Sequence, residues 1–382
     1  MLTSIICPSD LGLQKHFNHN FMRIAFALLI IVHGLIHVLG FIKAFKIADV
    51  NQLSQSSSKS MGMLWLFVAI LFLTSAVLYL LKKDWWFYIA IAAIAVSQIL
   101  IIIYWKDAKF GSIANVIILI AAIIGFASVQ FETSYKKDVA SAMEKNPETN
   151  DVVTEKDLEY LPPIVQNYLH YVGVVGKPKV KNVKVVFEGE MRDKGKDWFK
   201  FTSEQYNFFE FPARLFFMKA KVKGLPTHGY HAYKNEEARM QIKVLSLFPV
   251  VQIDTPELFP AETVTFFNDL CLFAPAALID DRIVWEPIDE RSVKATFTNK
   301  GTSISAILHF NEKGQLVNFV SNDRIAIDQM KAFPFSTPAS HYKNIGGYNL
   351  PTYGEAVWHY PDGEFVYGKF NLKSIAYNVN TQ

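Results

Sequence analysis

The amino-acid sequence predicts an N-terminal four-helix transmembrane bundle followed by a C-terminal α+β domain, whose large curved antiparallel sheet, half-barrel-like, wraps around a mostly apolar helix. Three observations carry this expectation. Four long apolar runs fill the first third of the 382 residues. Hydrophobic periodicity switches to two after residue 179, and one later segment is apolar on most of its helical faces.

Crossing a bilayer core by helix takes about 20 apolar residues. Residues 24–42 contain no Asp, Glu, Lys or Arg and lie between Arg23 and Lys43, and the runs at 61–81, 85–105 and 110–131 are equally free of charge. The short charged links Lys82-Lys83-Asp84 and Lys106-Asp107-Ala108-Lys109 make neighbouring helices antiparallel. Trp85, Trp86 and Tyr88 open the third run, and Tyr104 and Trp105 close it, where aromatic rings suit a membrane–water interface. This domain spans residues 22–132. Residues 1–21, with Pro8, Gly12 and Asn18, lack an apolar period and are expected to form a disordered tail, or an upstream extension of a protein whose effective start is Met22. The first run is too long in its apolar part for a cleavable signal peptide.

Composition agrees with a mixed chain. Hydrophobic residues make up 51%, and a mean hydropathy of +0.17 lies between a soluble protein and a transporter. A formal charge of +3 gives no electrostatic footprint for nucleic acid. Two cysteines, Cys7 and Cys271, exclude a disulfide framework and a cysteine-built metal centre, and no cofactor is expected. His33 and His37 stand four apart, so they share one face of the first helix, beside Gly34 and Gly40. Imidazole is a common metal ligand, but two histidines on one face cannot ligate opposite sides of one haem. The preferred reading is a pair of neutral rings bonding across a tight helix interface.

Residues 133–157 are rich in Lys, Glu, Asp, Asn and Ser and show no continuous apolar face. They read as a helical extension that gives way to a linker around Asn146–Asp151, ahead of a β-rich domain at 158–382. A short helix starts at Pro162-Pro163, carries Ile164, Val165, Tyr168, Leu169 and Val172 as its stripe, and ends at Gly173 and Gly176. Val183, Val185 and Phe187 begin the two-residue period. Later strands are expected at 198–206, 213–223, 238–245, 282–286, 292–298, 303–310, 316–322, 353–358 and 364–377, separated by turn signals such as Asp193-Lys194-Gly195 and Pro361-Asp362-Gly363. Between them, Pro260 starts a helix that Pro275 stops. Glu262, Thr265 and Asp269 form a polar stripe on it, and Val264, Phe266, Phe267, Leu270, Leu272 and Phe273 cover its other faces. A helix that is apolar on most sides must be covered on most sides.

Three strings carry a resemblance. They are Leu161-Pro162-Pro163 through Val174-Val175-Gly176-Lys177-Pro178, Phe201-Thr202-Ser203-Glu204-Gln205-Tyr206, and Gly354-Glu355-Ala356-Val357-Trp358. Together they resemble a bacterial family of uncharacterised conserved proteins, over roughly the soluble domain. The family implies no reaction and transfers no functional residue. The layout of strands about one helix also resembles the half-barrel of periplasmic lipoprotein carriers, which hold acyl chains between sheet and helix. A bacterial origin would place the helices in the cytoplasmic (inner) membrane as a multi-pass protein. One face of the bundle holds Lys15, Arg23, Lys82, Lys83, Lys136, Lys137 and Lys145, and the other holds the smaller set Lys43, Lys46, Lys59, Lys106 and Lys109. The positive-inside rule then leans towards cytoplasmic termini.

Sharp catalytic motifs are missing. Gly173-Val174-Val175-Gly176-Lys177-Pro178 has the wrong spacing for a phosphate loop, and there is no nucleophile elbow or His-Glu-x-x-His. Glu355 and His359 share a strand face and are expected to be an exposed pair. Glu262 and Asp269 are the acids most prone to burial, with Arg214, Arg282 and Arg324 as partners in ion pairs or in a polar site. Phe208, Phe209, Phe211, Phe216 and Phe217 suit a cavity wall or a core alike. The candidate ligand-binding set is Glu262, Asp269, Phe266, Phe267, Leu270, Phe273, Arg214 and Arg282. The leading expectation is a β-rich domain that binds a lipid or other hydrophobic molecule beside the bilayer. Two alternatives stay open: an enzyme acting on a membrane-derived substrate through Glu262, Asp269 and an arginine, and a sensor or assembly factor that binds protein.

Overall fold

The computed structural model describes residues 8–50, 53–146, 151–326 and 329–380, with side chains from residue 21 onward. It divides into two compact units, Met1–Gln130 and Phe131–Gln382.

The first unit is built from α1 (Pro8–Ala44), α2 (Lys59–Leu80), α3 (Trp86–Ile103), the single turn α4 (Trp105–Ala108) and the first part of α5 (Gly111–Lys145). Four of these helices are long and apolar enough to cross a membrane. Their outward residues are apolar too: Leu28, Val32, Phe67, Ile70, Ile99 and Ile120 are all at least half exposed. Such an inverted surface suits lipid rather than water. The helix begins at Pro8, so the expected tail is helical over the part described, and residues 1–7 lie outside the described residues.

Inside this unit the two histidines join a chain of polar side chains. His37 Nδ1 lies 2.9 Å from the His33 carbonyl, and its Nε2 lies 2.8 Å from Ser97 Oγ. His33 Nε2 lies 2.8 Å from Asn115 Oδ1, and Asn115 Nδ2 donates to Ser97 Oγ and Gln98 Oε1. A proton on Nδ1 of His37 and on Nε2 of His33 satisfies every contact with neutral rings. Gly40 lets α1 and α2 approach closely, since a Cβ there would stand 2.4 Å from the Trp65 ring.

In the second unit, α6 (Pro163–Val172) ends at Gly173, whose φ of 84° is the left-handed cap that glycine adopts without a Cβ penalty. The strands follow as β1 (Asn182–Met191), β2 (Phe199–Phe208), β3 (Ala213–Val222), β4 (Leu225–Lys234), β5 (Glu237–Val244) and β6 (Phe248–Ile253). After α7 (Leu258–Phe273) come β7 (Ile283–Asp289), β8 (Ser292–Asn299), β9 (Thr302–Phe310) and β10 (Leu316–Ser321). A small ribbon of β11 (Ile325–Ala326) and β12 (Lys331–Ala332) precedes β13 (Phe335–Ile345), β14 (Tyr348–Tyr360) and β15 (Gly363–Tyr377).

Thirteen strands form one open antiparallel sheet in the order β6-β5-β4-β3-β2-β1-β15-β14-β13-β10-β9-β8-β7. Two meanders meet where β1 pairs with β15, and α7 carries the chain from one edge strand to the other. Register shifts at Val186/Phe187 and Ala356/Val357 mark bulges, which bend long strands and raise their twist. Helix α7 lies in the concavity and contacts β4, β5, β9, β10 and β14. The main core gathers α6, α7 and the inward residues of the sheet, including Tyr168, Phe266, Phe267, Val293, Phe297, Leu308 and Phe319. Tyr168 and Tyr377 donate to the carbonyls of Cys271 and Phe273, each at 2.7 Å, satisfying acceptors that the last turn of α7 leaves free. Strands β4, β6 and β13 were not expected from the sequence. Pro226, Pro249 and Pro338, with His228, Gly229 and His231, break the apolar alternation that signals a strand.

The helical extension after residue 132 is present, but the expectation that it lacks a continuous apolar face needs correction. Helix α5 continues to Lys145, and Phe131, Tyr135, Val139 and Ala142 recur at helical spacing as one buried stripe. That stripe covers Phe208, Ala213, Leu215, Phe217, Tyr230 and Ala232 on the convex side of the sheet. Charged residues between the stripe positions hide it from a composition count. Strand β3 is therefore buried on both faces from Ala213 to Met218. Residues 147–150 fall outside the described residues, and a 3₁₀ turn at Glu155–Leu158 precedes α6.

A fragment beginning at Gln130 should therefore be monodisperse and fold cooperatively. One beginning at Asp151 would leave the convex aromatic patch bare and should self-associate on size-exclusion chromatography, with a lower melting temperature. Identical behaviour of the two fragments would show that the α5 stripe contributes nothing.

Candidate functional site: a cleft beneath the central helix

The polar stripe of α7 faces a cleft of about 860 Å³ on the concave side of the sheet. Its floor is polar and its walls are mostly apolar. Even-numbered residues of β3 alternate inward, so Arg214, Phe216 and Met218 line it, while Leu215 and Phe217 turn to the convex side. Phe187, Leu272, Phe273, Phe370 and Leu372 form one part of the wall, and Phe335, Trp358, Phe365 and Tyr367 another.

Arg214 organises the floor. Its Nε donates to Asp269 Oδ2 at 2.6 Å, Nη1 to Glu262 Oε2 at 3.3 Å, and Nη2 to Gln205 Oε1 at 3.1 Å. Gln205 Nε2 in turn donates to Asp269 Oδ2 at 2.8 Å and to Asn207 Oδ1 at 2.7 Å. His231 Nδ1 stands 3.7 Å from Glu262 Oε1. Burial raises the Glu262 carboxyl, but His231 and Arg214 beside it, with Arg324 adding to their field, outweigh burial and hold it at about 2. Glu262 stays ionised, and both acids are partners of one buried guanidinium. A carboxylate held this low is a poor general base.

The expected site residues thus part company. Glu262, Asp269, Arg214 and Phe273 line the cleft, as does Thr265. Phe266, Phe267 and Leu270 do not; all three are fully buried in the core, where Phe267 stacks on Phe297 at 5.3 Å and Phe266 packs against Tyr233 and Phe297. Arg282 also lies elsewhere: it chelates Asp280 and donates to the Phe209 carbonyl at 2.6 Å. An acid two residues away outcompetes the helix acids for it. Arg324 lines the cleft but makes no ion pair among the described residues. Within the phenylalanine stretch only Phe216 reaches the cleft; Phe209 joins the core and Phe211 is exposed. Glu355 and His359 do not pair, since Glu355 accepts from Tyr353 and His359 bonds Ser336.

Sequence reasoning missed Gln205, Asn207, His231, Asn268 and Thr337. On β2, Ser203, Gln205 and Asn207 alternate with the equally polar Thr202, Glu204 and Tyr206, so period alone does not tell which face is buried. Asn268 donates to Thr337 at 2.9 Å, while its own carbonyl oxygen, buried at the cleft, has no partner among the described residues.

An open antiparallel sheet that encloses a central helix and leaves an amphipathic cleft beside it defines a cavity-bearing α+β domain. The chain belongs to a family of unknown function, DUF6544, whose model matches residues 151–370. No curated protein matches it by sequence. Among solved structures, a putative outer membrane lipoprotein-sorting protein domain from Vibrio parahaemolyticus aligns at a TM-score of 0.34 and 9% identity, covering 60% of this chain and 94% of that one. A LolA superfamily protein from Nitrosomonas europaea aligns at 0.34 and 9%, covering 57% and 94%.

Two outcomes follow for α7. Phe266→Ala, Phe267→Ala and Leu270→Ala should each cost about 2–5 kcal/mol in denaturant unfolding, whereas Phe273→Ala, beside existing space, should cost clearly less. Equal losses at all four would place Phe273 in the core. The second concerns pH. Glu262 has a lowered value, so its contribution is complete above the ordinary value of 4.5 and is lost as pH falls through about 2. Stability of the wild type should fall more steeply than that of Glu262→Gln between those limits, and parallel slopes would remove Glu262 from the acid response.

Proposed function

We propose that this protein is a membrane-anchored binding protein, whose β-rich unit holds a lipid or another hydrophobic molecule in the cleft beneath α7. The observation that carries the reading is the cleft itself. Its volume of about 860 Å³ falls in the range of small-molecule sites, and it remains open beside a core in which Phe266, Phe267 and Phe297 are fully buried. Aromatic and aliphatic walls favour a hydrocarbon chain through burial of about 25 cal/mol per Å². The four apolar helices on the same chain support an anchor in a bacterial inner membrane, crossed several times, where such ligands are abundant.

The charged floor favours binding over acid–base chemistry. Glu262 and Asp269 each serve Arg214, which fixes α7 to β3, and the lowered Glu262 carboxyl is no proton carrier near neutral pH.

Organic extraction of the purified full-length protein should yield a stoichiometric lipid. Thr265 lines the cleft and is only half-buried, so Thr265→Trp should fill space without overpacking the core. That variant should melt within a few degrees of the wild type, about the spread of a 1 kcal/mol change, and retain several-fold less lipid. Wild-type protein that carries none, and takes up no added fatty acid or phospholipid, would end this reading.

A further inference from the structure

We propose that the cleft takes an anionic amphiphile, with Arg324 and Arg192 receiving its carboxylate or phosphate head while the aromatic wall holds its chain. The inference rests on the lipid-binding reading above and adds the chemistry of the ligand's polar end.

Besides His231, four Lys and Arg side chains line the cleft: Arg192, Lys194, Arg214 and Arg324. Two are already committed. Arg214 spends all three nitrogens on Asp269, Glu262 and Gln205, and Lys194 pairs with Asp362 at 2.5 Å. The other two differ. Arg324 is half-buried, and among the described residues its guanidinium has neither an ion pair nor a side-chain hydrogen bond. It lies 3.9 Å from the Phe335 ring centroid, 5.3 Å from that of Trp358 and 5.8 Å from that of Tyr367. Arg192, also half-buried, donates Nε to the Val366 carbonyl at 3.0 Å. Its guanidinium carbon stands 4.4 Å from the Trp198 centroid and 5.2 Å from that of Phe365.

Stacking occupies the flat face of a guanidinium and leaves the in-plane N–H edges unused. Those edges match the two oxygens of a carboxylate or phosphate. A half-buried cation with no bonded counter-ion is costly, and among the described residues neither Arg324 nor Arg192 has one, so a ligand oxyanion would remove that cost. The two arginines also border one wall. Arg192 N–H bonds the Tyr367 carbonyl at 2.9 Å, and Arg324 lies over the Tyr367 ring, which stacks near Trp358 at 6.3 Å. A chain lying on this wall would bring its head to both forks. The acids nearby do not take their place: Glu262 is bonded to Arg214, Glu355 accepts from Tyr353 at 2.5 Å, and Asp193 is exposed to solvent.

The test uses the purified full chain in neutral maltoside micelles, with a diazirine-bearing hexadecanol as photo-crosslinking probe. Dodecyl phosphate, dodecanol and inorganic phosphate compete for labelling. Dodecyl phosphate should displace the probe at a concentration roughly tenfold or more below dodecanol, the worth of one charge-assisted hydrogen bond. In Arg192→Gln/Arg324→Gln the two competitors should converge while dodecanol keeps its own potency. Should that variant fail to fold, Arg324→Lys, which keeps the charge but loses the stacked fork, should show a reduced ratio instead. Equal competition by dodecyl phosphate and dodecanol in the wild type would overturn the head-group assignment and leave lipid binding intact. Displacement by inorganic phosphate as effective as that by dodecyl phosphate would overturn it in favour of a free-anion site. Absence of any labelling of cleft residues would sink the underlying lipid-binding reading instead.

Discussion

Arg214 is the group on which the second unit turns, because it decides how a largely apolar helix can sit inside a sheet while leaving space on one side. Helix α7 carries two carboxylates on a surface that is mostly hydrophobic. Buried without a partner, each would be expensive, and a single guanidinium from β3 answers both. Gln205 and Asn207 from β2 complete the set, so the polar stripe is held against one part of the sheet. The opposite faces of α7 are then free to pack phenylalanine on phenylalanine against β8 and β10. Gripping the helix through hydrophobic contacts on one side and through a few polar contacts on the other leaves space beside the polar stripe, and that space is the cleft.

The same division explains the two kinds of arginine. A guanidinium bonded along all its edges is structural. Arg324 instead lies over aromatic rings and, among the described residues, makes no ion pair, which is why the head-group proposal falls on it. Aromatic residues of β13, β14 and β15 therefore have two tasks: they supply apolar wall and they support cations. The bulge at Ala356/Val357 takes part in this, because it shifts the alternation of β14 and leaves Ala356, Val357 and Trp358 buried in succession.

In the first unit the governing constraint is different. Outward residues are apolar, so polar side chains must find partners within the bundle. His33, His37, Ser97, Gln98 and Asn115 do so in one connected chain across α1, α3 and α5. A partly satisfied chain of this kind would cost more than an apolar interface.

Much of this was legible from residue patterns. Four charge-free runs of membrane length, the two-residue period after residue 179 and the apolar surroundings of Glu262 and Asp269 are local properties, and local physics determines the elements they form: helices where apolar length demands internal hydrogen bonding, strands where alternation demands a half-buried surface. Arg214 was legible as one of several partners for the helix acids. What the sequence could not decide was pairing across distance. Arg282 and Arg214 look alike in the chain, but only the fold shows that Asp280 takes the first and α7 the second. Phe266 and Phe273 are equally hydrophobic, and which of them meets the core depends on how α7 rotates about its axis, set by β3 and β8 from opposite meanders. The stripe Phe131-Tyr135-Val139-Ala142 escaped notice for the same reason. Its charged neighbours dominate composition, and its burial exists only because β2, β3 and β4 present a second apolar face to receive it. Contacts between residues far apart in sequence, each weak in isolation, chose among side chains that local chemistry leaves equivalent.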